Sequence, residues 1–189
     1  MAMTTNDETG AGIGTCAPLL EIATPDVYAR NPFRVLGAGV GSSIRDVQRE
    51  QQRRAMQEKL GVATGPADSA LFPVADDPDV QRAALEALAR PIDRLLAELF
   101  WFWPLDGDDA ARDALADGAL EGARGAWEAA LESEPAVARH NLAVLHHALA
   151  LEAGSARRTD AERNDAGPAL EHAALALEHW SAVVDDEDF

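Results

Sequence analysis

The chain has 189 residues, 47% of them hydrophobic, and a formal net charge of −17. This length and apolar content are sufficient for one large domain or two small ones with a buried core. The strong acidity argues against nucleic acid as a partner, because nucleic-acid binding requires a basic surface that displaces counterions. Repulsion by anionic lipids argues equally against a peripheral membrane role.

The residue types predict a helical, cytoplasmic protein. Ala is abundant whereas β-branched and aromatic residues are scarce, which favours helices over sheets and predicts an all-α fold. The single cysteine, Cys16, cannot form an internal disulfide, as expected in a reducing compartment. Residues 1–25 lack a basic start and a long apolar core, so they are interpreted as a flexible leader and not as a signal peptide. No stretch approaches the roughly 20 apolar residues of a membrane span.

Two helices are predicted after this leader. The stretch DVYARNPFRVL favours a short helix that Thr24 or Asp26 caps, that Asn31-Pro32 interrupts or restarts, and that ends at the glycines of residues 37–41. The stretch IRDVQREQQRRAMQEKL predicts a second helix, which begins after Ser42 or Ser43 and stops at Gly61. Its apolar stripe is thin, so most of its surface is expected to face solvent.

A basic stripe follows one face of the second predicted helix. Arg45, Arg49 and Arg53 are spaced at i, i+4 and i+8, and Arg54 forms a favourable pair with Glu50. Two interpretations stay open: a solvated face that balances neighbouring acids, or a docking face for an acidic partner. The predicted partner-binding residues are Arg45, Arg49, Arg53 and Arg54.

The next segment predicts a loop and two more helices. Residues 62–77 show no periodicity and several breakers, so they are predicted to form a loop. Asp77-Pro78 begins a third helix that extends to about Ala89. Because Pro91 cannot continue that helix, a fourth helix is predicted from Pro91 to Trp103.

The end of the fourth predicted helix is a run of four aromatic residues, Phe100 to Trp103. The helical period predicts one broad apolar face made of Ile92, Leu95, Leu96, Leu99, Phe100 and Trp103. Trp101 and Phe102 point partly elsewhere, so the end of the helix is apolar nearly all round and must be buried on two sides. The expected structural seam between two halves of the chain comprises Phe100, Trp101, Phe102, Trp103 and Trp127. An exposed partner site or ligand site is the alternative interpretation.

The layout of residues 26–103 resembles a J-domain. The match consists of the aromatic and "LG" pair in Phe33–Gly37, the basic second helix, the loop, the third helix, and a junction at Ala89–Arg94 before a short fourth helix. The resemblance implies a helical hairpin domain that docks other proteins. This chain lacks the His-Pro-Asp motif with which that family stimulates an Hsp70-type ATPase, since its first histidine is His140. A packing or docking module is therefore expected, and a regulator of an Hsp70-type ATPase that acts without the motif is the alternative.

The second half resembles tetratricopeptide repeats. Ala123, Trp127, Ala130 and Pro135 follow the small–large–small–Pro pattern of the second helix of such a repeat. Asn141-Leu142-Ala143 with His146 is similar to the start of a following repeat, and PALEHAALALEHWSAVV would be its second helix. A polar insert is predicted at about residues 154–167 between them. The resemblance implies a short array of helices whose concave surface binds a partner segment.

No catalytic or metal site is predicted. His140/His147 and His172/His179 are each seven residues apart, which is about 10.5 Å along a helix and too far for both to bind one ion. The glycine-rich stretches at residues 10–14 and 37–41 follow no predicted strand and lack the Gly-Lys-Ser/Thr end of a phosphate-binding loop. Cys16 has no neighbouring histidine that would activate it.

The expected architecture is all-α, with a J-like helical hairpin domain packed on a short TPR-like array. The predicted division is a leader at 1–25, a J-like domain at 26–104, a TPR-like domain at 105–184 and an acidic tail at 185–189. The predicted function is a non-enzymatic adaptor or scaffold without metal or cofactor. Its partner is another protein, either an acidic one or one that offers a helical or peptide segment, and exposed apolar helix faces would favour a homo-oligomer. The abrupt end at Phe189 suggests either a short adaptor or the front part of a longer protein.

Overall fold

The computed structural model describes residues 26–61, 77–106, 110–159 and 167–186. These ranges form an all-α structure with eight helices and no strand: α1 (Pro32–Leu36), α2 (Ile44–Lys59), α3 (Pro78–Ala89), α4 (Pro91–Leu99), α5 (Ala110–Ala116), α6 (Leu120–Ala130), α7 (Pro135–Thr159) and α8 (Gly167–Val184). The predicted leader, nearly all of the predicted loop at 62–77, and residues 187–189 of the acidic tail lie outside the described residues. None of the described helices is long and apolar enough to cross a membrane.

The first helix begins at the predicted restart. Residues 26–30 form turns, so Asp26 does not cap a helix there, and Thr24 lies outside the described residues. Asn31 is the N-cap instead, because its side-chain oxygen accepts a hydrogen bond from the backbone N–H of Phe33 at 3.0 Å. Gly37 ends the helix in the left-handed conformation, with φ of 57°, as a helix-terminating glycine commonly does.

The third and fourth helices begin where their prolines predict. Asp77 caps α3 by accepting a hydrogen bond from the backbone N–H of Asp79 at 2.8 Å, and Arg90 separates α3 from α4. The predicted end of α4 at Trp103 is wrong, since the helix ends at Leu99. Two causes act together: Pro104 disfavours helical geometry at the residue before it, and side chains of a later helix bind the backbone of the aromatic run, as described below.

The front core is formed by the four helices α1, α2, α3 and α4. Its buried members are Phe33, Val35, Leu36, Val47, Ala84, Leu88 and Ala97. Helix α2 contributes little to this core, because Val47 is its one buried member and Ile44 packs at the edge. Most of the α2 surface is therefore exposed, as its thin apolar stripe predicts.

The back core joins α5, α6 and α7. Its buried members are Ala111, Ala123, Trp127, Leu142 and Leu145. Helix α7 extends through Thr159, so the polar insert predicted at 154–167 is wrong over its first six residues. Ala and Arg are good helix formers, and one internal glycine costs only about 1 kcal/mol. Helix α8 packs along α7, and its buried members Ala176 and Val183 lie on that side.

Candidate functional site

Two aromatic residues of the run, Phe100 and Phe102, contact residues 26–30 and three later helices. Phe100 is buried beside Tyr28, Val144 and Ala148, and the edge of its ring faces Trp180 with ring centres 6.1 Å apart. Phe102 stacks on Trp127 with ring centres 4.8 Å apart and an interplanar angle of 16°. These side chains therefore reach the N-terminal turn, α6, α7 and α8 from a single short segment.

The remaining two aromatic residues lie against the front core and α7. Trp101 packs against both the front core and the cluster around Phe100. The Trp103 ring lies 4.7 Å from the His140 ring, centre to centre, and its indole N–H donates a hydrogen bond to the Glu98 carbonyl at 2.9 Å. Both Trp101 and Trp103 remain partly exposed. The run is thus a partly buried connection between the two halves of the chain.

Polar side chains of α7 bind the backbone of the run. Asn141 accepts a hydrogen bond from the Trp103 N–H at 2.8 Å and donates one to the Trp103 carbonyl at 2.9 Å. The ring nitrogen Nε2 of His140 lies 3.0 Å from the Trp101 carbonyl, which can only accept, so the geometry assigns the proton to Nε2. These bonds replace the helical hydrogen bonds that the run would otherwise make.

Asn31 holds the other side of this connection. Its side-chain N–H₂ donates to the carbonyls of Ala97 at 2.8 Å and Phe100 at 3.0 Å, while its oxygen caps α1. Because Asn31 is buried, it binds the end of α4 to the start of α1. The sequence gives no signal for this role beyond the Asn-Pro pair itself.

The basic stripe of α2 is exposed and largely paired with acids of the same helix. Arg49 pairs with Asp46 at 3.0 Å, and Arg53 pairs with Glu50 at 2.7 Å through two hydrogen bonds. A hydrogen bond from the Ser43 hydroxyl, followed by the Arg49 charge, lowers the pKa of Asp46. Hydrogen bonds from the two guanidinium groups of Arg53 and Arg54, that of Arg53 first, lower the pKa of Glu50. The stripe thus keeps its cations at the surface, with neutralising carboxylates beside them.

Arg54 differs from the rest of the basic stripe because its guanidinium binds the backbone at the end of α1. Its guanidinium donates to the carbonyls of Leu36 at 3.0 Å and Gly37 at 3.2 Å, and it pairs with Glu50 at 3.1 Å. These carbonyls are groups that the C-terminus of α1 leaves without helical partners. Arg54 therefore binds the end of α1, whereas the other three predicted partner-binding arginines are exposed.

Three histidines meet between α7 and α8. The Nδ1 atoms of His146 and His172 lie 3.1 Å apart, and the ring of His179 stacks parallel to that of His146 with centres 5.9 Å apart. Sequence spacing within one helix could not predict this group, because it forms between two helices. Among the described residues, no group of three or more His, Cys, Asp or Glu side chains has an arrangement that could hold a metal ion.

Burial favours the neutral form of four histidines, because it lowers the pKa of each. Burial, followed by the neighbouring His172 and His179 charges, lowers the pKa of His146 to about 4. Burial likewise lowers the pKa of His140, His147 and His179. The His147 ring nitrogen Nδ1 lies 2.7 Å from the Tyr28 hydroxyl, and burial raises the pKa of that hydroxyl far above its ordinary value. The hydroxyl therefore stays protonated and can donate to the neutral His147.

The apolar face predicted on α4 is exposed over most of its length. Ile92 is 63% exposed and Leu95 is 65% exposed, and Leu99 also reaches solvent. The buried side of this helix is instead formed by Ala97. Of its six predicted members, Ile92, Leu95 and Leu99 are exposed, whereas Phe100 is buried and Leu96 and Trp103 are half-buried.

A second exposed apolar face lies on α8. Its members follow 4-3-4-3 spacing, which is the spacing of a coiled-coil seam: Leu170, Ala174, Leu177, Ser181 and Val184. All five are exposed, Leu177 by 64% and Val184 by 82%. The spacing was visible in the sequence, and it is the signal that could have identified this face.

The chain was compared with protein-family models, with curated proteins and with solved structures, and none of the three comparisons found a match.

Proposed function

We propose that the protein is a non-enzymatic adaptor that binds another protein through its helical surfaces, with the exposed face of α4 as the docking face. The supporting observation is that Ile92, Leu95 and Leu99 lie uncovered at i, i+3 and i+7. Helix-in-groove recognition uses this spacing, and contiguous exposed apolar surface is typical of protein–protein contacts.

The rim of the α4 face favours a partner segment with few charges. Arg90 pairs with Asp93, and Arg94 pairs with Glu98 at 2.8 Å, so each cation beside the face has an acid next to it. A rim that is neutral on average provides little electrostatic steering. The partner is therefore an apolar stripe of a helix or peptide, and its affinity should depend only weakly on salt.

The J-like and TPR-like interpretations remain proposals about the scaffold that holds this face. The order of a short α1, a basic α2, then α3 and α4 supports the first. Burial of Ala123 and Trp127 in α6 supports the second. One feature departs from a regular repeat: α7 has 25 residues, whereas two helices share about 34 residues in a tetratricopeptide unit.

The test is partner capture by the full chain, followed by titration of the purified partner. We expect Leu95→Glu to lose a partner that wild type retains, and to weaken its direct binding at least tenfold, because a carboxylate would enter an apolar contact. Ala129→Glu is the matched control, since Ala129 is exposed on α6 and lies outside the α4 face.

Two results would contradict the proposal. One is that Leu95→Glu binds the same partners with the same affinity as wild type. The other is that Ala129→Glu loses binding to the same extent, which would indicate a general effect of added negative charge and not a face on α4.

A further inference from the structure

The exposed seam of α8 has an acidic border. We call Leu170, Ala174, Leu177, Ser181 and Val184 the α8 seam. Glu171, Glu178 and Asp185 each follow a seam residue by one position, so they form a row along one side of it, and all three are exposed. Helix α8 contains no Lys or Arg. The opposite side of the helix packs on α7, so the seam and its acids face outward.

Helix α2 carries a face with complementary chemistry. Arg45, Arg49 and Arg53 lie along it and are exposed, and the exposed apolar residues Met56 and Leu60 continue it. We call these five residues the α2 basic face. The aliphatic stems of arginine cover apolar surface while their charged ends reach outward. Such a face can therefore cover leucines and contact acids at the same time.

We propose that the α8 seam pairs with the α2 basic face of a second copy of this chain. The two faces match in length, because Leu170 and Val184 are 14 positions apart, which is about 21 Å along a helix, and Arg45 and Leu60 are 15 positions apart, which is about 22 Å. Both faces are exposed on the same molecule. In the two-fold dimer that we propose, the contact is made twice, with α8 of each copy on α2 of the other, as closed symmetry requires.

Charge favours α2 as the occupant over a second α8. In an antiparallel seam-to-seam dimer of α8 helices, the acids along one side of the seam would approach each other and repel, since like charges at flanking positions disfavour a pairing. Arg49 and Arg53 pair with Asp46 and Glu50 of the same helix, so the attraction to the acids of α8 comes chiefly from the exposed Arg45 and from sharing of the other two guanidinium groups between both sets of acids. The net charge of −17 opposes association at long range. At about 0.15 M salt, screening confines this repulsion to about 8 Å, whereas paired side chains lie closer.

The first measurement is the mass of the full chain in solution at about 0.15 M salt, by sedimentation velocity over a range of concentrations. We expect a species of twice the 20.1 kDa chain mass that dissociates on dilution. Leu177→Glu should weaken the dimer at least tenfold. Wild type that keeps the mass of one chain at every concentration would overturn the proposal, even if the α8 seam binds another protein.

The second measurement uses two variants, each of which reverses the charges on one of the two faces. One variant is Glu171→Lys/Glu178→Lys, and the other is Arg45→Glu/Arg49→Glu. In the second variant, position 45 lies in the first turn of α2, where the helix dipole favours an acid, and both substituted side chains are exposed, so the fold should be retained. Each variant alone should be monomeric at concentrations where wild type is dimeric. An equimolar mixture should recover the dimer, because both contacts in the mixed dimer again join opposite charges.

Controls separate this pairing from other causes of association. Glu152→Lys on α7 reverses an exposed acid away from the seam and should leave the dimer unchanged. Circular dichroism should give the same helix content for all variants. A dimer that persists in both charge variants, or a mixture that stays monomeric, would show that other surfaces join the chains. The α4 face takes no part in this contact, so the result is independent of the adaptor proposal.

Discussion

In the front half, α1 has 5 residues and α4 has 9, whereas α7 and α8 in the back half have 25 and 18. A short helix leaves most of its backbone groups without helical partners. The front half satisfies them with side chains, as Asn31 and Arg54 do at the two ends of α1. In the back half, the long helices α7 and α8 pack along each other, and the shorter α5 and α6 contribute apolar side chains to the back core. The two halves should therefore respond differently to the loss of one polar or one apolar side chain.

The largest effect is expected from an apolar truncation in the back core. Trp127 is 1% exposed and stacks on Phe102, so Trp127→Ala should lower the free energy of unfolding by about 3 to 5 kcal/mol. Denaturant unfolding measures this change. Trp127→Phe is the matched control, because the buried indole N–H has no hydrogen-bond partner and its removal leaves no group unpaired. A loss below about 1 kcal/mol for Trp127→Ala would contradict a tightly packed back core.

A polar truncation at Asn31 should produce the next largest effect. Asn31→Ala leaves the Phe33 N–H and the carbonyls of Ala97 and Phe100 without this partner, in a buried site. Each unsatisfied buried group costs about 1 to 3 kcal/mol, and partial relaxation reduces the sum, so we expect a loss of about 2 to 4 kcal/mol. The measurement is again denaturant unfolding.

Asp77→Ala is the control for Asn31→Ala. Asp77 caps α3 in the same way but is exposed, and its side chain accepts a hydrogen bond from Asp79 within that same helix end. A typical loss for such a cap is about 1 kcal/mol. Equal losses for the two variants would mean that Asn31 acts only as a cap, and that its bonds to the end of α4 add no stability.

Helix boundaries were predictable where a residue has a local effect on the backbone. Asp77 caps the start of α3. Pro91 lacks an N–H, so α3 ends before it and α4 begins at it. Gly61 has the left-handed conformation that follows the end of α2. The end of α4 was not predictable in this way. It depends on Asn141 and His140, which are about 40 positions away and bind the aromatic run through side chains.

Burial was less predictable than helix position. Periodicity identifies an apolar face on α4 and an apolar spacing on α8, but it does not say whether another element covers either face. The α8 face is exposed, and so are Ile92, Leu95 and Leu99 of the α4 face, whereas Phe100 at its end is buried. The same limit applies to the histidines, because their grouping depends on how α7 and α8 are aligned.

The smallest effect is expected from a change in pH, and it should arise in the back half, because the five histidines of the chain lie there. Folding lowers the pKa of His146 to about 4, below the unfolded value near 6.5. Between these values the unfolded chain binds more protons than the folded chain, so the free energy of unfolding should fall as pH drops from about 6.5. Charged and titratable groups on three helices influence His146 or its neighbour His179: Glu121, Arg124, Glu128, Arg139, His172 and Glu178.

The variant His146→Leu should flatten this dependence on pH. Unfolding measured from pH 7 to pH 5 avoids most carboxylate titration, and one proton contributes at most about 1.4 kcal/mol per pH unit. The residual slope should come from His140, His147 and His179, whose pKa values burial lowers in the same direction. An unchanged slope in His146→Leu would mean that the pKa of His146 does not differ between the folded and the unfolded chain. In that case the packing of α7 on α8 does not require a neutral His146.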